Sequence, residues 1–325
     1  MAEKKEKPSP EDILVGGQAV IEGVMMRTPF AYAVAVRHAD GSIEVKREAV
    51  KRLSDFWRPL VWPVVRGFAV LLQSLVLGIR TLNFSFNAAA ADLESGKRKI
   101  DVPPKADAAP RNEFLPILST MAFAVVFAIL LFVLAPLWIT TWLKGYFAAI
   151  HNWVIFNLVD GVIRVGFFLG YLLAISRMKD IRRVFQYHGA EHKVVHTWEA
   201  HEALTVENAR RKSPLHPRCG TSFLLFVMFV SIVVFSIFKF HAFWAIFLSR
   251  VVLIPLISGL SYELIRLSAP RCQRGLFRVV VMPGLALQRL TTNEPSDDQL
   301  EVAIRALQEA IELDGITARA RQAAA

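Results

Sequence analysis

Long apolar runs separated by basic segments dominate the chain from residue 114 onward. Phe114–Leu143 contains no charged residue, and at about 1.5 Å per helical residue it is long enough to cross a hydrocarbon core of about 30 Å. Three further apolar runs, 151–176, 221–238 and 242–263, are also long enough to span. Only Lys239, Phe240 and His241 separate the last two. The pattern predicts four transmembrane helices, of which the last two form an antiparallel hairpin.

The distribution of Lys and Arg predicts how these helices are oriented. Basic residues crowd the segment before the first run, the loop between the second and third, and the segment after the fourth. The two opposite loops carry only Lys144 and Lys239. Because short cytoplasmic loops carry the excess of Lys and Arg, we expect a multi-pass membrane protein with both termini in the cytoplasm.

One more apolar stretch, Leu60–Ile79, does not fit this pattern. Basic clusters lie on both sides of it, and Arg66, Gln73 and Arg80 recur every seven residues along one helix face. We therefore predict an interfacial or re-entrant helix over residues 57–83. A fifth full span is the alternative.

The remaining polar segments predict a small sheet and a C-terminal helix. Tyr32, Val34 and Val36 alternate before an Asp40-Gly41 turn signal, which indicates a β-hairpin. Ser296 and Gln299 form a capping box ahead of an amphipathic stretch. The expected fold is a predominantly α membrane protein with a cytoplasmic β element. Its predicted segments are a disordered N-terminus (1–15), the β element (16–56), a linker (84–113), the four-span domain (114–268) with a His-rich cytoplasmic loop (177–220), a C-terminal cytoplasmic segment (269–313) and a flexible tail (314–325).

Composition supports the membrane assignment and excludes two other classes. Of 325 residues 54% are hydrophobic and 20% charged, below the roughly 25% charged of a soluble domain. The net charge of +10 comes largely from residues flanking the apolar runs, so membrane orientation explains it better than nucleic-acid binding. Cys219 and Cys272 both fall in predicted cytoplasmic segments, which argues against a disulfide.

The densest candidate chemistry lies in the cytoplasmic loop, in the sequence YHGAEHK. On a helix, His188 and His192 are one turn apart and can share a metal ion, while Glu191 completes an H-x-x-E-H pattern in which a carboxylate activates water. His196 and Glu199 continue the same helix face. The alternative interpretation is a solvated, membrane-proximal polar helix.

A second cluster, HPRCGTS, directly precedes the third span. His216 and Cys219 are metal-ligand types, and the turn places them at the same membrane face as the YHGAEHK sequence. Glu263, at the cytoplasmic end of the fourth span, is a further candidate ligand. For His216 or Cys219 taken alone, a turn that starts the span, with Thr221 as its cap, is the favoured interpretation, whereas their shared membrane face with YHGAEHK favours a common site.

Charges inside the spans, and a glycine-rich segment near the N-terminus, supply the remaining candidates. Asp160 and Arg164 are four residues apart on the second span, and an ion pair is favoured over a translocation role. In GGQAVIEGVMMR, the glycines permit close backbone approach, and Glu22 or Arg27 is placed to face the site.

Five sequence blocks together resemble the bacterial YqhQ family of multi-span membrane proteins: GGQAVIEGVMMR, YHGAEHK, HPRCGTSF, SYELIR and PGLALQRLTTNEP. The resemblance covers about residues 15 to 310. Family members have been described as predicted metal-dependent enzymes, without a known reaction. The resemblance implies a location in the bacterial inner membrane. It also implies that metal-type motifs include His188, Glu191, His192, His216 and Cys219, whereas Glu22, Arg27 and Glu263 lie in other characteristic blocks.

Together these patterns favour a metal-dependent membrane hydrolase of unknown substrate. A divalent ion, Zn²⁺ before others, is the expected cofactor, and Glu191 the expected catalytic base. One alternative is a non-enzymatic scaffold or a metal-handling or partner-binding protein, and another is a small-solute transporter. The lipid bilayer is the expected partner, nucleic acid is not expected, and self-association into a homo-oligomer stays open.

Overall fold

A computed structural model describes residues 15–51, 58–94, 114–217, 219–268 and 275–323. The predicted disorder over residues 1–14, residues 95–113 of the predicted linker, Arg218 and Cys272 lie outside these ranges.

The N-terminal segment forms a four-stranded antiparallel sheet in the order β1-β2-β3-β4. Gly41, with φ +88°, turns the chain between the last two strands, as the Asp-Gly signal predicted. The third strand is buried on both faces, which explains its run of small and branched apolar residues. The strands are β1 (Gly16–Val20), β2 (Gly23–Arg27), β3 (Ala31–Arg37) and β4 (Ile43–Ala49).

Helices make up most of the rest of the described chain. The first long apolar run is one continuous helix with a π-helical turn at Leu130–Leu134, between α2 and α3. Short 3-10 turns occur at Arg58–Val61 and Ala148–His151. The helices are α1 (Val65–Glu94), α2 (Phe114–Ile129), α3 (Ala135–Lys144), α4 (Trp153–Ser176), α5 (Lys179–Glu199), α6 (Val206–Arg210), α7 (Gly220–Ile237), α8 (Phe243–Val252), α9 (Ile254–Ser268), α10 (Gly275–Thr291) and α11 (Asp297–Ala323).

Four helical segments in the described residues are long and apolar enough to cross a membrane, which identifies the chain as a membrane protein. Three match predicted spans: 122–144, 153–176 and 220–237. The fourth is 65–93 in α1, where the sequence predicted an interfacial or re-entrant helix. The predicted fourth span is divided into two helices, α8 and α9, with a bend of 47° between them. If this bent pair counts as one span, the described residues contain five candidate spans. Pro255, which has no N–H for the helical ladder, lies at the second position of α9 and accounts for the break.

The sheet lies between two helical layers. Side chains on one face, including Val24 and Ala33, pack with Tyr187 of α5 and Leu307 of α11. The opposite face, including Val34, packs against α1. This sandwich fixes α5, which carries the histidines, against a rigid sheet.

Two helices are longer than the sequence predicted. α1 runs to Glu94, eleven residues into the segment expected to be a linker (84–94), because Phe84 and Ala88 pack on the sheet. α11 runs to Ala323 through the expected tail, and the buried Asp314 accepts a hydrogen bond of 2.8 Å from the backbone N–H of Phe30. In both cases contacts with the distant N-terminal sheet extend a helix that local composition alone would end.

Candidate metal centre at the membrane face

α5 is a polar helix that is buried on several sides. Tyr187, Ala190 and Val194 face the core formed with the sheet and α11, as their three- and four-residue spacing dictates. His188, His192 and His196 follow each other at four-residue intervals on another face, which lies against the 214–219 loop and the end of α10. The apolar face therefore anchors the helix, and the histidine face is held in place as a consequence.

The first group of candidate ligands consists of His188, His192 and Cys219, whose ligand atoms lie within 4.8 Å of one another. His188 donates its Nδ1–H to the carbonyl of Thr291 (2.8 Å), and His192 donates its Nδ1–H to the carbonyl of Pro214 (2.5 Å). Because a carbonyl only accepts, each neutral ring keeps its lone pair on Nε2. Metal-binding histidines are oriented in this way by the groups around them.

Among the candidate ligand atoms of this group, Nε2 of His192 is the one that lacks a hydrogen bond. His192 is only 2% exposed, and its Nε2 forms no hydrogen bond with a described residue, although, against the larger effect of burial, the Cys219 sulfur is near enough to raise the pKa of the ring. Burial lowers the pKa of His192, which favours the neutral ring and its free lone pair. An orphaned acceptor inside a protein costs free energy unless a ligand engages it. Two imidazoles and a sulfur match the donor set of a zinc site with an open fourth position.

Cys219 joins this group from the membrane domain. It is the N-cap residue of α7, and its sulfur lies 3.4 Å from the backbone N of Thr221, 3.1 Å from the Thr221 hydroxyl and 3.2 Å from Nε2 of His188. As the N-cap residue, Cys219 uses its sulfur to accept from the backbone N–H of Thr221 in the first turn of α7. One candidate ligand thus lies at the first turn of a helix long enough to span the membrane.

Glu191 lies beside the histidines but in neither ligand group. Its carboxyl group is buried and accepts a hydrogen bond from the backbone N–H of Gly17 on β1. Burial raises the pKa of Glu191, an effect that the nearby His188 and His216 oppose. A Cβ at Gly17 would stand 2.9 Å from Cγ of Glu191 and 2.5 Å from the carbonyl oxygen of Met25, so only glycine fits.

A second group comprises His196, Glu199 and His216, again with ligand atoms within 4.8 Å. His196 donates its Nε2–H to the carbonyl of Leu215 (2.9 Å), and Nε2 of His216 lies 3.3 Å from the Glu199 carboxylate. Burial lowers the pKa of both His196 and His216. The His192 and His216 rings, with centroids 5.7 Å apart, connect the two groups.

Three other sequence candidates lie away from these groups. Glu263, suggested as a further ligand, forms an ion pair with Arg66 of α1 at 2.6 Å from its Nε. Glu22 accepts two hydrogen bonds from Arg183 (2.5 and 2.6 Å), and Arg27 donates to Gln73 of α1 (2.7 Å). These contacts join α9 to α1, the turn after β1 to α5, and β2 to α1. All three residues therefore hold structural elements together around the site.

The predicted pair inside the membrane domain is present and has additional partners. Arg164 donates to Asp160 (2.8 Å), and Arg250 of α8 lies 3.5 Å from the same carboxylate. Arg250 also donates to Asn157 (2.6 Å), and its guanidinium carbon stands 3.9 Å from the ring centroid of Phe235. The cluster is buried between α4, α7 and α8, and its α4 residues lie in the half of that helix away from α5.

Several residues that position the site were missed by the sequence analysis. The fully buried Gln288 accepts from the backbone N–H of His216 and donates to its carbonyl, each at 2.8 Å. Lys193 forms an ion pair with Glu294, which ties α5 to the chain after α10. Thr291, Gln288 and Glu294 all come from PGLALQRLTTNEP, the block that carried the family resemblance without a chemical reason. The clue was that this block keeps polar residues within an otherwise apolar helix.

Comparison with known proteins places these features in a family. A family model described as "Protein of unknown function (DUF1385)" matches residues 62–313. The chain belongs to this family. It is also similar to "Uncharacterized protein YqhQ" of Bacillus subtilis (strain 168), with 32% identity over 302 residues that cover 93% of each protein. No solved structure matches the chain. The DUF1385 match includes the histidine helix, Cys219 and the Gln288 segment, whereas the sheet lies before it.

Proposed function

We propose that this DUF1385 protein is a membrane-embedded, metal-dependent hydrolase whose site faces the cytoplasm. The observation that carries the proposal is the convergence of His188, His192 and Cys219, whose ligand atoms lie within 4.8 Å of one another. Backbone carbonyls direct two imidazole lone pairs inward, and Nε2 of His192 is buried without a hydrogen bond to any described residue. Zn²⁺ is the ion that this nitrogen and sulfur set suits best.

A divalent ion held there would polarise a substrate oxygen or lower the pKa of water. Glu191 is placed to accept the proton of the attacking water and to return it to the leaving group. Its raised pKa brings it closer to neutrality, where a general base works best. In a hydrolysis the oxygen of water bonds to the electrophilic atom of the substrate, and the bond to the protonated leaving group breaks. The substrate is a separate question from the site.

Proposed orientation follows from the charge pattern and from α1. The segments rich in Lys and Arg place the sheet, α5, α11 and both termini in the cytoplasm. α1 packs on the sheet through Leu77, Phe84 and Ala88, and Asp92 near its end accepts from the backbone N–H of Ala39 (2.8 Å). A helix in contact with a sheet that carries a charged edge strand cannot cross the hydrocarbon along that length.

The outer face of α1 supports a position in the membrane surface. Large apolar side chains project from it at 37–60% exposure: Phe68, Leu72, Leu75, Leu82 and Phe86. An amphipathic helix of this kind rests in the interface with its apolar face toward lipid. Fluorescence of a single Trp placed at Leu75 or Leu82, in a variant whose seven native Trp residues are replaced by Phe, should be quenched equally in proteoliposomes by lipids brominated at one shallow depth. Unequal quenching that changes along the helix would instead show a spanning helix.

A structural metal site in a non-enzymatic scaffold is the second candidate function. It is favoured by the fact that the ligands come from α5 and α7, and that Thr291 at the end of α10 orients His188, so an ion would fasten three elements together. The transporter alternative receives less support, because Asp160 and Arg164 already pair with each other.

Metal analysis of the purified full-length protein tests the proposal. Wild-type protein, prepared without chelator and reloaded with Zn²⁺, should contain bound metal by mass spectrometry, and H188A/H192A should lose it while remaining folded. The matched control is H151A/H241A, which removes two histidines outside both groups. Equal metal content in wild type and H188A/H192A would overturn the site.

The Glu191→Gln variant separates the enzyme from the scaffold. In the enzyme it keeps the ion and loses hydrolysis in a panel of ester, amide and phosphoester substrates, by about 10²-fold or more. In a scaffold, neither the wild type nor the variant hydrolyses any member of the panel, while both bind metal.

A further inference from the structure

The second group of ligands repeats the construction of the first. His196 gives one ring N–H to the Leu215 carbonyl, which leaves the lone pair of Nδ1 on the opposite side of the ring. The backbone of His216 is fixed on both sides by Gln288, and the His216 side chain is only 5% exposed. The ring centroids of His196 and His216 are 4.5 Å apart. Two imidazoles and a carboxylate therefore converge, with His216 buried, His196 half-buried and Glu199 at the exposed side of the group.

The two groups lie directly side by side. His192 of the first group and His216 of the second have ring centroids 5.7 Å apart, with His188 4.4 Å from His192 on the far side. Glu191, the proposed base, is close enough to His188 of one group and His216 of the other to interact electrostatically with both. The carboxylate thus borders both sites.

We propose that His196, Glu199 and His216 hold a second divalent ion, so that the centre binds two ions side by side. This inference rests on the proposed function, since the first ion occupies the site described there. In two-ion centres the metals together clamp the attacking and leaving oxygens of a substrate. Glu191, next to both groups, is then the single proton acceptor for the pair.

The two sites have different donor chemistry, and that difference makes them separable. The first contains the Cys219 sulfur and favours softer ions such as Zn²⁺. The second contains only nitrogen and oxygen donors, a set that also accepts Mn²⁺ or Fe²⁺. Cobalt(II) bound to a thiolate gives an intense charge-transfer absorption in the near ultraviolet, which a site with only nitrogen and oxygen ligands lacks.

The test is an anaerobic Co²⁺ titration of the metal-free full-length protein in detergent. Wild type should bind two equivalents, and the thiolate band should saturate after one. C219S should lose the band. H196A/E199Q should keep the band and bind one equivalent, whereas H151A/H201A, which changes two histidines outside the groups, should bind two. Thermal unfolding of each variant without metal checks that it is folded.

The outcomes distinguish the two proposals. One equivalent in the wild type, with the thiolate band intact, overturns the second ion and leaves the first site standing. Two equivalents in a folded H196A/E199Q variant also overturn it, because the second ion then binds elsewhere. No thiolate band and no bound cobalt in the wild type overturn the proposed function together with this inference.

Discussion

Two buried polar clusters in this protein are built on opposite principles. In the membrane domain, the charges of Asp160 and Arg164 are opposite in sign and already in contact, and Arg250 adds an amide and an aromatic partner. In the histidine cluster, the imidazoles of His188 and His192 give their N–H groups to backbone carbonyls and turn lone pairs toward each other and toward sulfur. The first cluster is held by opposite charges in contact, with Asp160 Oδ1, Arg164 Nε and Arg250 Nε left buried without a hydrogen bond to a described residue. The second contains donor atoms that only the proposed cation would bring together. A buried polar atom without a partner is therefore not by itself the mark of a metal site, and the type of donor atom is what separates the two clusters.

The largest expected effect comes from breaking the paired cluster. Asp160→Asn leaves Arg164 and Arg250 buried without a carboxylate, which should cost about 3–5 kcal/mol and severely lower yield or thermal stability in detergent. Zinc bound per folded molecule should stay at the wild-type level, since the histidine cluster is separate. The exposed Asp180→Asn, as control, should change stability by less than about 1 kcal/mol. Wild-type stability of Asp160→Asn would show that the network is not needed for packing.

The second prediction disturbs the histidine cluster through the backbone. A Cβ at Gly189 would stand 2.1 Å from the carbonyl oxygen of Asn293, so Gly189→Ala must push away the turn whose neighbour, Thr291, orients His188. We expect a loss of about 1–3 kcal/mol and weaker zinc affinity by competition with a chromogenic chelator. Gly315→Ala, where nothing lies within 4 Å, should instead be neutral or stabilise by up to about 1 kcal/mol. Unchanged zinc affinity in Gly189→Ala would show that the turn at Asn293 does not contribute to positioning His188.

The third prediction concerns Glu191 in metal-free protein. Because burial raises its folded-state pKa, its contribution to stability is complete below about pH 4.5 and is lost as pH rises through the raised value. Glu191→Gln should therefore unfold about 2–4 °C higher than wild type at pH 7 with chelator present. The gain should vanish toward pH 4.5. If Glu191→Gln is less stable than wild type at pH 7, the interactions of the ionised carboxylate outweigh the cost of burying it.

The smallest effect is expected at the partly buried contact of His38 with Asp92, which resembles neither cluster. Hydrogen bonds to Asp92 and then to Glu44 raise the pKa of His38, so its stabilising charge is present below about pH 6.5 and is lost as pH rises through the raised value. Between pH 6 and pH 8.5 the free energy of unfolding of the wild type should fall by up to about 1 kcal/mol more than that of His38→Gln. Identical melting curves for both proteins across this range would rule out a contribution from His38.

Local patterns in the sequence predicted the parts of the fold that depend on neighbouring residues. Phe114–Lys144 is helical because its run is apolar throughout, and the Asp40-Gly41 hairpin forms because glycine accepts the positive φ. The spacing of His188, His192 and His196 also placed them on one face of a helix, as observed in α5. Whether they bind metal stays a prediction.

Contacts between distant segments could not be predicted in the same way. Glu263 seemed close in depth to the histidines, but Arg66, almost two hundred residues earlier, engages it. α1 has a composition that suits a membrane span, and only the structure shows that one of its faces packs on the sheet. The positioning roles of Gly17 and Gln288 depend on tertiary contacts, which no spacing rule encodes.

The position of α11 has a consequence for the order in which the protein is made. The sheet is synthesised first, yet one of its faces is covered by a helix that begins at Asp297, after every candidate span has been synthesised. Leu307 and its neighbours must close over strands made more than 250 residues earlier, a contact of very long sequence separation. The histidine helix is braced on that same core. Site assembly is therefore a late step of biogenesis, after membrane insertion, and until then the ribosome-bound chain is expected to lack a formed ion-binding centre.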